Sequence, residues 1–242
     1  MGIKPDDLIA KFQYALNEAY GYIYGMTHEM WSKAKQDNYN KAKASNPDCQ
    51  MSIKYGSKWY GHWVTDCSGL FTWAFSELGG YMYHGSNTMF NKYTTANGTL
   101  VNGKRSDGKG LIPGTAVFVY NKEKKNYSHV GLFIGDGGKV IEAKGTQAGV
   151  VRTKITDKRW THWGELKGVD YNGGDEPVPE GYAEVTGKNV ALRKAPTTQA
   201  SVITRVATGQ LVKLEEEPPS QWDYVSYNGK TGYMMKEFLK EG

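Results

Sequence analysis

Leu8, Phe12, Leu16 and Ala19 recur three to four residues apart behind Pro5-Asp6-Asp7, which predicts an amphipathic helix whose two acids face the positive end of its dipole. A second apolar stripe, Leu70, Phe71, Ala74, Phe75 and Leu78, predicts a helix from about Cys67 to Leu78, closed by Gly79-Gly80. From Pro113 onward the period shortens to that of strands, expected at 116–120, 128–134, 139–143 and 150–154. Gly135-Asp136-Gly137-Gly138 joins the second and third of these as a tight hairpin, because Asp-Gly tolerates the positive φ angles of such turns. Residues 27–65, rich in Lys, Asn and aromatics, show no clean period and take no assignment. Helices first and antiparallel strands afterwards indicate an α+β domain.

The stretch GVDYNGGDEPVPEGY that opens at Gly168 has prolines, glycines and acids but no apolar periodicity, and it reads as a linker over 168–181. Short β-type runs separated by turn residues follow it. The expected organisation is a first domain at 1–167, the linker, and a small all-β domain of five to seven strands at 182–242.

A hydrophobic content of 39% with 23% charged residues is that of a folded globular chain, not of a disordered or collagen-like one. No apolar run is long enough to span a bilayer, and the N-terminus lacks the marks of a secretory signal, so synthesis in the cytoplasm without membrane insertion is expected. Cys49 and Cys67 allow one disulfide at most, too few to staple 242 residues, so free thiols are expected. Residues 1–167 carry 22 Lys and Arg against 14 Asp and Glu, a balance that suits an anionic polymer and equally suits ordinary solubility. Nucleic acid is not favoured, because no arginine cluster, zinc-finger, helix-turn-helix or RNP pattern is present. The five histidines form no H-x-x-x-H pair on a plausible helix, so neither a metal nor another cofactor is expected.

Chemistry concentrates at Cys67, in TDCSGLFTWAF, where a loop turns into a helix. Unpaired N–H groups and the helix dipole there favour the thiolate; the alternative is a small buried hydrophobe. His129, in SHVGLFIG, shares a strand face with Gly131 and Phe133 and is the candidate base; the alternative is a core histidine satisfied by backbone. A two-residue turn at Asp136-Gly137 would set His129 opposite Lys144, with Glu142 a diagonal neighbour on the same face, able to hold the imidazole. A register change of one residue would remove it. Asp66 is expected to cap the helix, to recognise a substrate amine, or both.

Asp66-Cys67-Ser68-Gly69-Leu70, then Ser128-His129-Val130-Gly131-Leu132-Phe133-Ile134-Gly135 and Val140-Ile141-Glu142-Ala143, resemble in order and spacing the NlpC-type cell-wall cysteine peptidases, a reduced papain-like fold. The resemblance implies catalytic roles for Cys67, His129 and Glu142, although the third position of the family is often His, Asn or Gln. It also implies an oxyanion or substrate pocket at Tyr22, Asp66 and Ser68, with Tyr22 taken from Gly21-Tyr22-Ile23-Tyr24-Gly25. About 40 residues separate that motif from Cys67 where the family has a short loop, so the insert, with His28, Trp31, Trp59, His62 and Trp63, is expected to remodel one wall of the cleft. Asn189-Val190-Ala191-Leu192-Arg193-Lys194-Ala195-Pro196, with Gly209, Trp222, Val225, Gly229 and Thr231-Gly232-Tyr233-Met234, is similar to bacterial SH3-like wall-binding domains. Trp222 and Tyr233 are its candidate wall contacts, or core residues.

Together these imply a monomeric peptidoglycan hydrolase that looks like a phage or prophage endolysin, made in the cytoplasm and acting on the wall. The implied reaction is γ-D-glutamyl–diamino acid endopeptidase cleavage by Cys, His and Glu. An N-acetylmuramoyl-L-alanine amidase, an acyl transferase with the same triad, and a non-catalytic wall-binding protein are the competing readings.

Overall fold

A computed structural model describes residues 2–171, 181–216 and 221–241. The chain divides into two compact units, Met1–Tyr171 and Asn172–Gly242. Of the expected linker, residues 172–180 lie outside the described residues.

The first unit runs α1 (Pro5–Asn17), β1 (Gly21–Tyr22), β2 (Glu29–Met30), α2 (Lys33–Lys43), α3 (Gln50–Tyr55), β3 (Trp63–Thr65), α4 (Gly69–Glu77), α5 (Ser86–Lys92), β4 (Thr94–Val101), β5 (Lys104–Arg105), β6 (Ala116–Asn121), β7 (Asn126–Gly135), β8 (Lys139–Gly145), β9 (Gly149–Lys154) and β10 (His162–Leu166). Strands β5-β4-β10-β6-β7-β8-β9, in that order, make a seven-stranded sheet whose neighbours all pair antiparallel. The alternation of each strand divides its side chains between two layers. Phe118, Val130, Leu132, Ile141 and Ala143 pack under α1 and α4, where Phe12 meets Phe71 edge-on at 4.6 Å. Val117, Phe133 and Val140 face the other way, against Trp160 and Trp163.

The two expected helices form, with shifted ends. α1 buries Leu8, Phe12 and Ala15, while Ala19 lies past its end at φ 50°, outside the stripe assigned to it. α4 begins at Gly69 rather than Cys67, so the thiol stands in the turn ahead of the helix. All four expected strands are present, each extended by a residue or more. The pairs Leu132↔Ile141 and Phe133↔Val140 hold the anticipated hairpin register, but a bulge before Gly135↔Lys139 makes the turn three residues long instead of two. α5, β4 and β10 were not anticipated: β4, TTANGTLV, alternates partly buried with exposed positions and has little apolar content to reveal it.

Residues 27–65 fold around a small core of Ile23, Trp31, Tyr39, Cys49, Trp59 and Val64. Its last strand, β3, pairs in parallel with β1, Tyr22 against Thr65, and antiparallel with β2. The long separation between the tyrosine motif and Cys67 is thereby closed in space.

In the second unit β11 (Tyr182–Val185), β12 (Val190–Arg193), β13 (Val202–Val206), β14 (Leu211–Glu216), β15 (Trp222–Tyr227), β16 (Lys230–Met235) and β17 (Leu239–Glu241) form an SH3-like curled sheet, ordered β13-β12-β16-β15-β14-β11-β17. Its core is Ala183, Val185, Val190, Leu192, Val206, Val212, Val225 and Met234.

Candidate active site

Three elements carry the candidate residues. The turn before α4 is held by Asp66, whose Oδ1 accepts from the Ser68 N–H at 3.0 Å, the Ser68 hydroxyl at 3.1 Å and the Gly69 N–H at 2.7 Å. Its Oδ2 accepts from the Gly25 N–H at 2.8 Å and bonds His84 Nε2 at 2.8 Å. That hydrogen bond raises the His84 pKa against the opposing effect of its burial. Asp66 therefore caps the helix, as expected, and also ties down the loop after β1. Both of its oxygens are thus engaged within the protein. Ser68 serves the same turn.

β7 supplies the second element. Its ladder with β8 covers Leu132 to Gly135 and stops there; one turn of pleat earlier, the Val130 N–H donates to the Cys67 sulfur. The thiol thus lies against the β7 backbone at Val130, the residue that follows His129. Cys67 is only 8% exposed, and burial, followed by the charge of Asp66, pushes its pKa up, although the N–H groups of Val130, Ser68 and Cys67 pull the other way. This corrects the expectation of a resting thiolate: desolvation outweighs the helix N-terminus, from which the thiol is displaced by two residues.

The third element is β8. His129 Nε2 bonds Glu142 Oε2 at 2.7 Å, which leaves Nδ1 as the ring nitrogen free for a proton from a thiol. Glu142, expected among solvated strand residues if it had no role, is 0% exposed, and its other oxygen accepts from the Thr153 hydroxyl at 2.6 Å and from Arg159. Burial pushes its pKa up, but hydrogen bonds from His129 and Arg159 prevail and hold the carboxyl down to about 2. The imidazole also stacks on Trp160, centroids 5.7 Å apart, and Arg159 lies over the same indole. Gly131 makes room for this group, since a Cβ there would stand 2.8 Å from Val140, 2.9 Å from Trp160 and 3.2 Å from Glu142. Thr153, Arg159 and Trp160 were missed in the sequence, where nothing near residue 159 marks it as facing residue 142.

Tyr22 reaches this centre from β1. Burial, then the neighbouring Cys67 and Asp66, raise its pKa, so the hydroxyl stays protonated and able to donate. In the insert, Trp31 and Trp59 are core, whereas Trp63 is 37% exposed and stacks on His28 at 4.0 Å. Cys49 is buried and free, as is Cys67. Among the described residues no three His, Cys, Asp or Glu side chains are grouped to hold a metal ion. No helix among them is long and apolar enough to cross a membrane.

In the second unit Trp222 is 8% exposed, a core residue more than a surface platform. It lines a cavity of about 220 Å³ with Arg193, Arg205 and Met235. Tyr233 is half-buried against Tyr224, ring centroids 4.9 Å apart.

A folded helix-on-sheet unit with a cysteine at a helix entrance and a His–Glu pair on adjoining strands defines a cysteine-peptidase-like centre. Residues 52–165 match the NlpC/P60 family and residues 188–240 the bacterial SH3 domain, so the chain carries an NlpC/P60 domain followed by a bacterial SH3 domain. No curated protein matches the chain. Among solved structures it is similar to NlpC2 from Trichomonas vaginalis, with 20% identity, a TM-score of 0.41, and coverage of 66% of this chain and 47% of that one. The peptidoglycan hydrolase RipB from Mycobacterium tuberculosis gives 15% identity, a TM-score of 0.41, and coverage of 69% and 65%. The NlpC/p60 domain of peptidoglycan hydrolase SagA gives 13% identity, a TM-score of 0.42, and coverage of 67% and 98%. The chain spans less than half the length of the two Trichomonas vaginalis proteins it resembles.

Proposed function

We propose that the protein hydrolyses amide bonds in the stem peptides of bacterial peptidoglycan, at the γ-D-glutamyl–diamino acid bond, with Cys67 as nucleophile, His129 as base and then acid, and Glu142 as the group that orients the imidazole. The observation that supports this most is the His129–Glu142 bond of 2.7 Å on a fully buried carboxylate, one residue along β7 from the Val130 N–H that the Cys67 sulfur meets. Because burial favours the neutral thiol, the proton passes from sulfur to His129 Nδ1 as sulfur attacks the amide carbon. The Glu142 carboxylate, held ionised, stabilises the resulting imidazolium. The Cys67 N–H and the Tyr22 hydroxyl are suited to receive the oxyanion of the tetrahedral intermediate, a contribution of roughly 10²-fold or more in rate. The imidazolium then protonates the leaving amine, and water, deprotonated by His129, releases the thioester.

The SH3-like unit is proposed to hold the wall, raising the substrate concentration at the first unit. Mass spectrometry of purified peptidoglycan digested with the protein and with Cys67→Ala tests the reading. New termini at D-glutamate and at the diamino acid, absent with the variant, are the expected result. Free lactyl-muramyl ends would reassign the enzyme to the amidases, and an unchanged wall in both digests would leave a wall-binding protein.

A further inference from the structure

The insert and the β8–β9 turn enclose a cavity of about 370 Å³ that opens onto Tyr22. Asp48, Met51 and Ser52 of the insert form one side, and Lys144 to Ala148 form the other. Lys144 belongs to this cavity because of a β-bulge: Ala143 pairs with Val150 but Gly145 with Gly149, so the ladder slips by one residue at position 144. Bulges re-aim side chains, and this one takes Lys144 out of the alternation that puts Glu142 beside His129.

The charges around the cavity do not cancel. Asp48 is already paired with Lys124 at 2.9 Å, whereas Lys144 has no anionic partner among the described residues. A second cavity, of about 450 Å³, shares Gln147 with the first and adds Lys54 and Lys58. The Lys58 ammonium is occupied by the Gln147 carbonyl at 2.6 Å, and that of Lys54 lies 5.1 Å from the Tyr55 ring centroid. The cavity beside the candidate oxyanion donor thus has one ammonium without an anionic partner, that of Lys144, and one carboxylate already paired.

We propose that this cavity is a specificity subsite for a carboxylate of the substrate peptide adjoining the scissile bond, with Lys144 as its counter-ion; the assignment rests on the peptidase reading above. On a γ-linked glutamyl residue the group next to that bond is the free α-carboxylate. The enzyme should therefore prefer stems carrying it over stems in which it is amidated, because a neutral carboxamide leaves the ammonium without a partner.

Two synthetic peptides test this: L-Ala-γ-D-Glu-L-Lys and its counterpart bearing a carboxamide in place of the α-carboxylate. The full chain should cleave the carboxylate form with kcat/KM about tenfold higher, a size suited to one partly solvated ion pair. In Lys144→Ala the ratio of the two kcat/KM values should fall to about one, through KM of the carboxylate form, and in Lys144→Glu it should invert. A ratio unchanged by Lys144→Ala overturns the subsite while leaving the peptidase reading intact. If the wild-type chain cleaves neither peptide, the peptidase reading fails, and calorimetric titration of Cys67→Ala and Cys67→Ala/Lys144→Ala with both peptides decides the subsite separately. Selective binding of the carboxylate form that is lost with Lys144 supports it; equal or absent binding overturns it.

Discussion

A carboxylate taken out of water loses several kcal/mol of hydration unless donors replace it, and Glu142 has three: His129, Thr153 and Arg159. Its pKa falls from an ordinary 4.5 to about 2, so the folded state binds this proton less readily than the unfolded chain does. The stability it contributes is therefore complete above about pH 4.5 and is lost as pH falls toward 2. Glu142→Gln should flatten the acid limb of the stability curve in that window, as read by near-ultraviolet circular dichroism. The same variant should lower kcat by roughly 10² to 10⁴-fold, because the amide neither fixes the tautomer nor stabilises an imidazolium. The His129 and Glu142 pairing was legible in the sequence, because a hairpin register is arithmetic. Arg159 and Thr153 were not, since a donor from another strand or loop leaves no mark of its target in a single sequence.

The helix entrance is the element on which the site depends. Gly69 begins α4, and a Cβ there would stand 2.1 Å from the Met26 carbonyl oxygen, a backbone atom that cannot swing aside. The same oxygen accepts the Asp66 N–H at 2.7 Å, so the loop after β1 and the turn that carries Cys67 are locked together. Gly69→Ala should destabilise the first unit by about 2 kcal/mol or more. A lowered Tm in scanning calorimetry, with a matching loss of hydrolysis, is the expected result; an unchanged Tm would mean that this contact is not tight in solution. The apolar stripe of α4 made the helix predictable, whereas its start was not, because Asp66, not the hydrophobic period, sets where the N–H groups are capped.

Each unit of the molecule has its own buried core, that of the second built from eight aliphatic or small side chains. Leu192, wholly buried there, should cost about 2 to 5 kcal/mol when replaced by Ala. The variant should lower the calorimetric transition of the second unit and weaken lysis of whole walls, with hydrolysis of a soluble peptide retained. Equal loss on both substrates would show that the second unit does more than hold the wall.

Short-range order in the chain determined the two helix stripes, the period-two strands, the β7–β8 register and the motifs around Cys67 and His129, because each depends on residues close in sequence or on a turn that counts them. Only the tertiary structure decided the parallel pairing of Tyr22 with Thr65 across the insert, the burial that pushes the Cys67 pKa up, and the cavity that Lys144, at a bulge in its strand, lines together with Tyr22. Those features arise where segments distant in sequence exclude water from one another, and the solvent a side chain loses is a property of the fold around it.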